Sequence, residues 1–221
     1  MQHELRISFH EELFQVDQEL AKLISAVAQK VAATTDRFLG AAAEPTVALI
    51  SDEELADPIY REVERRVNRL LARQAPVAGD LRYLLSVLRA VPDLERSAEL
   101  ADEIAGRGPQ GLAGLISPRA RALITRLGDV VTAMWQQVAE SWQERTLDAS
   151  SSLDSADEEH DNLFTNLVAE IAASDWPSPV TMDMTLVARF YERLGDHAIE
   201  IAKDIDQITG WAQARDPQEA P

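Results

Sequence analysis

The chain has 221 residues, 46% of them hydrophobic, with 38 acidic against 21 basic side chains and no cysteine. That length supports one large helical domain or two small ones with a real core, and the missing cysteine excludes disulfides, thiolate metal sites and cysteine nucleophiles. A net charge of −17 repels phosphate backbones and anionic lipid head groups, so it argues against direct nucleic-acid binding and membrane docking and suits cations or a partner with a basic face.

Aromatic residues are sparse, while Ala, Leu, Glu, Arg and Gln, the better helix formers, abound. The N-terminus, MQHELRISFHEEL, lacks the basic segment and apolar core of a signal peptide. Apolar runs are broken by charge well before the ~20 residues a membrane span needs. The expectation is a soluble cytoplasmic protein.

The first predicted helix covers residues 3–40, with Phe9, Leu13, Val16, Leu20, Leu23, Val27 and Val31 recurring at three- and four-residue steps. The second runs from about Pro45 to Arg73, with Val47, Ile50, Leu55, Ile59, Val63, Val67, Leu70 and Leu71 inward and Pro58 marking a kink or an N-terminal turn. The third runs from about Pro76 to Ala105 on a stripe of Leu81, Leu84, Leu85, Leu88 and Leu94, interrupted at Pro92. Residues 106–118, GRGPQGLAGLISP, hold four glycines and two prolines and form the clearest boundary. A fourth helix follows over about Pro118 to Thr146, a fifth over 150–173 with Leu153, Leu163, Phe164, Leu167, Val168 and Ile171, and, after the turn DWPSP, a sixth from Val180 to Trp211. No strand pattern competes.

The third and sixth helices carry related motifs. LERSAELADEIA, 94–105, aligns with YERLGDHAIEIA, 191–202, at six identities in twelve. The fold class expected is therefore all-α: two tandem pseudo-symmetric three-helix bundles of six long helices, each bundle with its own core. The units are residues 1–106 and 119–211, with a Gly/Pro linker at 107–118 and a tail at 212–221.

Each motif places two carboxylates four residues apart: Glu95 with Glu99, and Glu192 with Asp196. Such residues are neighbours on a helix, about 5–6 Å apart at Cβ, and like charges there repel unless something positive intervenes. Glu53 with Asp57 and Asp157 with Asp161 repeat the spacing on the second helix of each half. Chance alone supplies roughly six acid pairs at this spacing in so acidic a chain. Position lifts the signal, because two helices of one bundle can gather these carboxylates into a cluster. Carboxylates without cysteine select hard cations such as Mg²⁺, Mn²⁺, Ca²⁺ or oxidised iron. The alternative is that Arg96 and Arg193 neutralise their neighbours as surface ion pairs, and spacing leaves both readings open.

Asp157-x-x-His160 is a loose echo of the Glu-x-x-His pair of ferritin-like bundles, yet no true Glu-x-x-His occurs. His197 reads as a core or rim residue, and His3 and His10 as surface or helix-end residues. Gly195 sits inside a helix at a cost of up to about 1 kcal/mol relative to alanine, which marks a close helix approach or access to an ion. No phosphate-cradling glycine loop, nucleophile elbow or zinc-protease helix is present.

Five segments in order resemble the PhoU family, regulators of bacterial phosphate uptake: RISFHEELFQVDQEL (6–20), LLARQAPVAGDLR (70–82), DLERSAELADEIA (93–105), ADEEHDNLFTNL (156–167) and ARFYERLGDHAIEIA (188–202). The junction segment LLARQAPVAGDLR is close to the pattern of actinobacterial members. The resemblance implies two three-helix bundles in tandem and a non-enzymatic negative regulator of the phosphate-starvation response. Such a protein relays the state of a phosphate ABC transporter ATPase to a sensor histidine kinase, in the cytoplasm or peripheral to the inner membrane through its partners; a homodimer is expected separately, because helical repeats with acidic faces often pair. The resemblance also implies divalent or trivalent metal ions (Mg, Mn, Fe, Ca or Zn) at Glu192, Asp196, Asp157 and Asp161, with Glu95 and Glu99 in the first repeat. The first motif of the family usually reads Glu-Arg-Ile-Gly-Asp; here Ser97, Ala98 and Glu99 follow Arg96, which makes the second repeat the better metal site. Two rival readings are a metal-carboxylate helical-bundle enzyme and a metal-free helical scaffold.

Overall fold

A computed structural model describes residues 2–40, 53–74, 76, 78–109 and 111–214, with side chains over 9–40, 59–73, 76, 78–109 and 111–209. The helices are α1 (Gln2–Leu39), α2 (Glu53–Gln74), α3 (Ala78–Ala105), a four-residue α4 (Leu112–Leu115), α5 (Pro118–Glu144), α6 (Asp154–Ala173) and α7 (Ser178–Ala214), with a 3-10 turn at Ser151–Leu153. No strand occurs among the described residues. The inward positions expected at Val47, Ile50 and Leu55, and the side chains of Glu53, Asp57 and Pro58, lie outside the described residues.

Local chemistry sets several helix ends. Ser117 caps α5: its hydroxyl accepts from the Ala120 N–H at 3.0 Å, and Pro118 follows at the first helical position. Gly40 closes α1 with φ 72°, a conformation glycine adopts without Cβ strain. Arg145 does the same for α5 with φ 54°, although it carries a side chain.

α1, α2 and α3 pack on one another, as do α5, α6 and α7, and the two triplets meet along α1–α5 and α3–α7. Each helix at the junction thus faces its own counterpart, the contact pattern of two repeats related by an internal two-fold. The buried apolar residues form one cluster running through both triplets, from Val16 and Leu20 to Ile201 and Ile205. The separate core expected for each bundle is therefore a single continuous one. Polar links cross the junction as well. Thr35 and Tyr191 pair their hydroxyls at 2.8 Å, and the Ser97 hydroxyl meets His197 Nδ1 at 2.8 Å.

Four further expectations are corrected. α3 runs unbroken through Pro92, which stands on the exposed face, so the hydrogen bond it cannot donate is lost where water reaches the backbone. The Gly/Pro linker contains α4, and Leu112, Ala113 and Ile116 are buried. Ile59, Leu81, Leu85 and Val168, placed on inward stripes by their spacing, are exposed, because no described helix covers those sides. The fifth helix begins with the 3-10 turn, and its α-helical part starts at Asp154.

Candidate metal centre

α6 presents Asp157, His160 and Asp161 at steps of three and four, on one side of the helix. One ligand atom from each lies within 4.8 Å of the others, the only such group of three among the described residues. His160 is 1% exposed, and its ring lies flush against α7 at Gly195. Nε2 is 3.2 Å from the Tyr191 carbonyl, which can only accept, so Nε2 carries the proton. In the neutral imidazole Nδ1 then holds the lone pair. It is buried, has no hydrogen-bond partner, and sits 3.6 Å from Asp161 Oδ1. An imidazole whose outer nitrogen is fixed by a backbone carbonyl, with its inner lone pair among carboxylates, has the arrangement of a metal-ligating histidine. Burial, then the charges of Asp161 and Asp196, raise the Asp157 carboxyl above the ordinary aspartate range, against the pull of His160 and Lys203.

The expected ligands on α7, Glu192 and Asp196, do not join this group of three. Asp196 is near enough for its charge to act on Asp157. Its own ion pair is with Arg193 at 3.4 Å. Glu192 pairs with Arg189 through Oε1, while Oε2 is buried with no hydrogen-bond partner. Both carboxylates are thus partly neutralised by arginines three residues before them, and Glu192 keeps one oxygen uncommitted.

His197 belongs to the α3–α7 junction. The Ser97 hydroxyl donates to the Asp93 carbonyl at 2.6 Å, so it accepts from His197 Nδ1–H. His197 Nε2 then accepts from Arg193 at 3.2 Å. Burial is the main cause holding this imidazole below its usual pKa.

In the first repeat, Glu99 pairs with Arg96 at 2.6 Å on an exposed surface, matching Asp196 with Arg193. Glu95 is half-buried and engaged with neighbouring groups. Neither joins three donors among the described residues. Ala98 stands where the second repeat has Gly195, so α3 lacks the close approach that seats His160. Sequence reasoning undervalued His160; the available signal was an imidazole at Asp157 + 3, facing a helix that carries a mid-helix glycine.

A family model described as the PhoU domain matches this chain twice, over residues 20–107 and 124–205. Those segments hold most of α1–α3 and α5–α7. The phosphate-specific transport system accessory protein PhoU homolog 2 of Mycobacterium tuberculosis is 29% identical over 213 residues, covering 93% of this chain and 99% of the relative. The PhoU homolog of Rhizobium meliloti is 26% identical over 211 residues, covering 93% and 89%. Among solved structures, PhoU from Pseudomonas aeruginosa superposes with a TM-score of 0.78 at 24% identity, over 90% of this chain and 98% of that one. The phosphate transport system regulatory protein PhoU from Streptococcus pneumoniae gives 0.58 at 20% identity, over 93% of each. At these identities the structures speak to the fold.

Proposed function

The chain belongs to the PhoU family, and from that membership we propose that it is an accessory protein of phosphate transport that acts as a non-enzymatic negative regulator of phosphate uptake and phosphate-starvation signalling. The observation that carries this reading is the double match of the PhoU domain to the two helical triplets, supported by full-length relatives named as phosphate-transport accessory proteins. The mechanism is protein–protein contact through helical faces. An adaptor with a net charge of −17 complements basic surfaces on a transporter ATPase and a sensor histidine kinase, and charge complementarity of this kind speeds encounter. No helix among the described residues is long and apolar enough to cross a membrane.

The test is affinity capture of the tagged chain from cells grown in high and low phosphate. The expected result is recovery of the transporter ATPase, the kinase or both, with a yield that changes with phosphate. Recovery of neither under either condition overturns the adaptor role.

The metal assignment joins this reading. The second repeat fits a cation: Asp157, His160 and Asp161 bring ligand atoms within 4.8 Å of one another, His160 Nδ1 is buried without a hydrogen bond, and the Asp196 charge acts on Asp157. These residues would hold the ion between α6 and α7, where it would supply charge neutralisation and a cross-link between the two helices. The nitrogen donor shifts the preference from Mg²⁺ or Ca²⁺ toward iron or zinc, which accept imidazole readily. Elemental analysis of wild-type protein beside the Asp157→Ala, Asp161→Ala double variant is the check, and equal metal content in the two dismisses the site.

A further inference from the structure

The outer helices of the two repeats present opposite charge. α2 packs on α1 and α3 and α6 on α5 and α7, while the junction runs along α1–α5 and α3–α7, so α2 and α6 flank the molecule on either side of it. Over residues 59–73 of α2, the exposed charged side chains are Arg61, Arg65, Arg69 and Arg73, whereas Glu62, Glu64 and Arg66 are half-buried. The four arginines recur at four-residue steps, about 6 Å apart along the helix axis, and form a row about 18 Å long. An exposed positive row runs against a net charge of −17. α6, by contrast, holds no lysine or arginine. Asp154, Glu158, Asn162 and Asn166 recur on it at the same four-residue step, and all four are exposed.

Both rows keep unused hydrogen-bonding capacity. Arg69 and Arg73 enter no ion pair among the described residues, and neither do Asp154 and Glu158. Arg65 already pairs with Glu62 at 2.9 Å, and Arg61 is engaged as well. Asn162 donates its side-chain amide to the Glu158 carbonyl, and Asn166 to the Asn162 carbonyl, each at 2.8 Å. Their Oδ1 atoms remain as acceptors. The α6 row can therefore accept along its length, and the α2 row can only donate. Glu158, Asn162 and Asn166 also line a groove of about 320 Å³ with Ser155 and Leu163.

We propose that α2 of one copy docks antiparallel on α6 of a second copy, with Arg73 facing Asp154, Arg69 facing Glu158, Arg65 facing Asn162 and Arg61 facing Asn166. This register sets the two unpaired guanidinia on the two unpaired carboxylates, and the two engaged arginines on neutral amides. Rows at four-residue steps lie parallel when two helices cross at about −50°, a common packing angle. Arginine suits the role, since its planar fork gives a carboxylate two hydrogen bonds. At physiological salt the Debye length is about 8 Å, shorter than the row, so local charge outweighs the repulsion between two acidic copies. The two flanks lie on either side of the junction, which makes the contact heterologous. A copy that uses α2 leaves its α6 open to the next, and the assembly grows head to tail instead of closing as a pair. Exposed ion pairs are individually weak, so the association belongs in the millimolar range.

Sedimentation equilibrium of the full chain tests this. In physiological salt the weight-average mass rises about twofold between roughly 0.05 and 1 mM protein without levelling at a dimer. About 1 M NaCl abolishes the rise. Arg69→Glu with Arg73→Glu, and separately Asp154→Lys with Glu158→Lys, each leave the chain monomeric. The first variant makes the net charge more negative and the second makes it less so, so overall repulsion cannot account for both losses. Mixing the two variants restores association, because the acidic α2 of one meets the basic α6 of the other. All four positions are exposed, and unchanged melting curves verify the fold. A wild-type chain that stays monomeric overturns the proposal. So does association that levels at a dimer, survives high salt or either reversal, or fails to return on mixing. Phosphatidylglycerol vesicles that pellet a monomeric wild-type chain, but not its Arg69→Glu, Arg73→Glu variant, would give the arginine row to lipid and overturn it too.

Discussion

His160 and Gly195 touch so closely that a Cβ on residue 195 would lie 2.7 Å from both Cε1 and Nε2 of the imidazole. This contact seats the α6 histidine against the α7 backbone and leads to the first prediction. Gly195→Ala gains up to about 1 kcal/mol of helix propensity but forces the ring out of its pocket, an overpacking cost of about 1–3 kcal/mol. The net result is destabilisation, read by urea denaturation. His160→Ala in the same chain relieves the clash and recovers most of the loss. A Gly195→Ala variant as stable as wild type would show that the ring is free to move.

Metal should stabilise the folded chain through the same contact. Zn²⁺ or Fe²⁺ at a hundredfold excess over its dissociation constant raises stability by about 2.7 kcal/mol if it binds only the folded state. His160→Leu, which preserves bulk without a ligand atom, reduces that gain while leaving the metal-free protein folded. Melting curves with and without a chelator measure both. An equal metal-induced shift in wild type and variant would remove His160 from the ligand set.

Arg89 and Asp204 join α3 to α7 at 2.7 Å, and the two side chains differ in burial. Asp204 is buried, and burial outweighs the Arg89 interaction, so its carboxyl is raised above the ordinary range. A raised folded pKa means that the Asp204 contribution is fully present below the unfolded aspartate pKa, about 3.9. It is lost as pH rises through the folded value. Asp204→Asn should therefore flatten stability against pH in the weakly acidic range and cost less than about 1 kcal/mol near neutrality. Arg89→Ala leaves a buried carboxylate unpaired and costs more, about 1–3 kcal/mol. Denaturation of both variants across pH tests the order, and the reverse order would contradict it.

At the α1–α5 crossing, a Cβ on Gly128 would come within 2.0 Å of Thr35 Oγ1, whose hydroxyl is already paired with Tyr191 at 2.8 Å. Gly128→Ala should cost at least about 2 kcal/mol, since the clash falls on a β-branched side chain with little room to turn. Thr35→Ala in the same chain restores part of it by removing the obstructing atoms. Thermal unfolding separates these outcomes, and a silent Gly128→Ala would mean that the two repeats can slide apart.

Much of the fold was legible in the chain. Apolar steps of three and four from Phe9 to Val31 marked a helix, and the likeness of residues 94–105 to 191–202 marked the duplication. The acid pairs were legible as spacing. What periodicity cannot say is which neighbour a face meets. The exposed Leu81 and Leu85 and the buried Leu84 share one stripe on paper, and only the position of the neighbouring helices separates them.

The acidic site shows the same division. Local sequence determined that Asp157, His160 and Asp161 share a side of α6, because helical geometry alone requires it. Tertiary structure decided that Tyr191 offers His160 a carbonyl, that Gly195 gives the ring room, and that Nδ1 is left with its lone pair among carboxylates. Those outcomes depend on atoms more than thirty residues away. Helix periodicity carries no term for them, whereas close packing between α6 and α7 sets them directly.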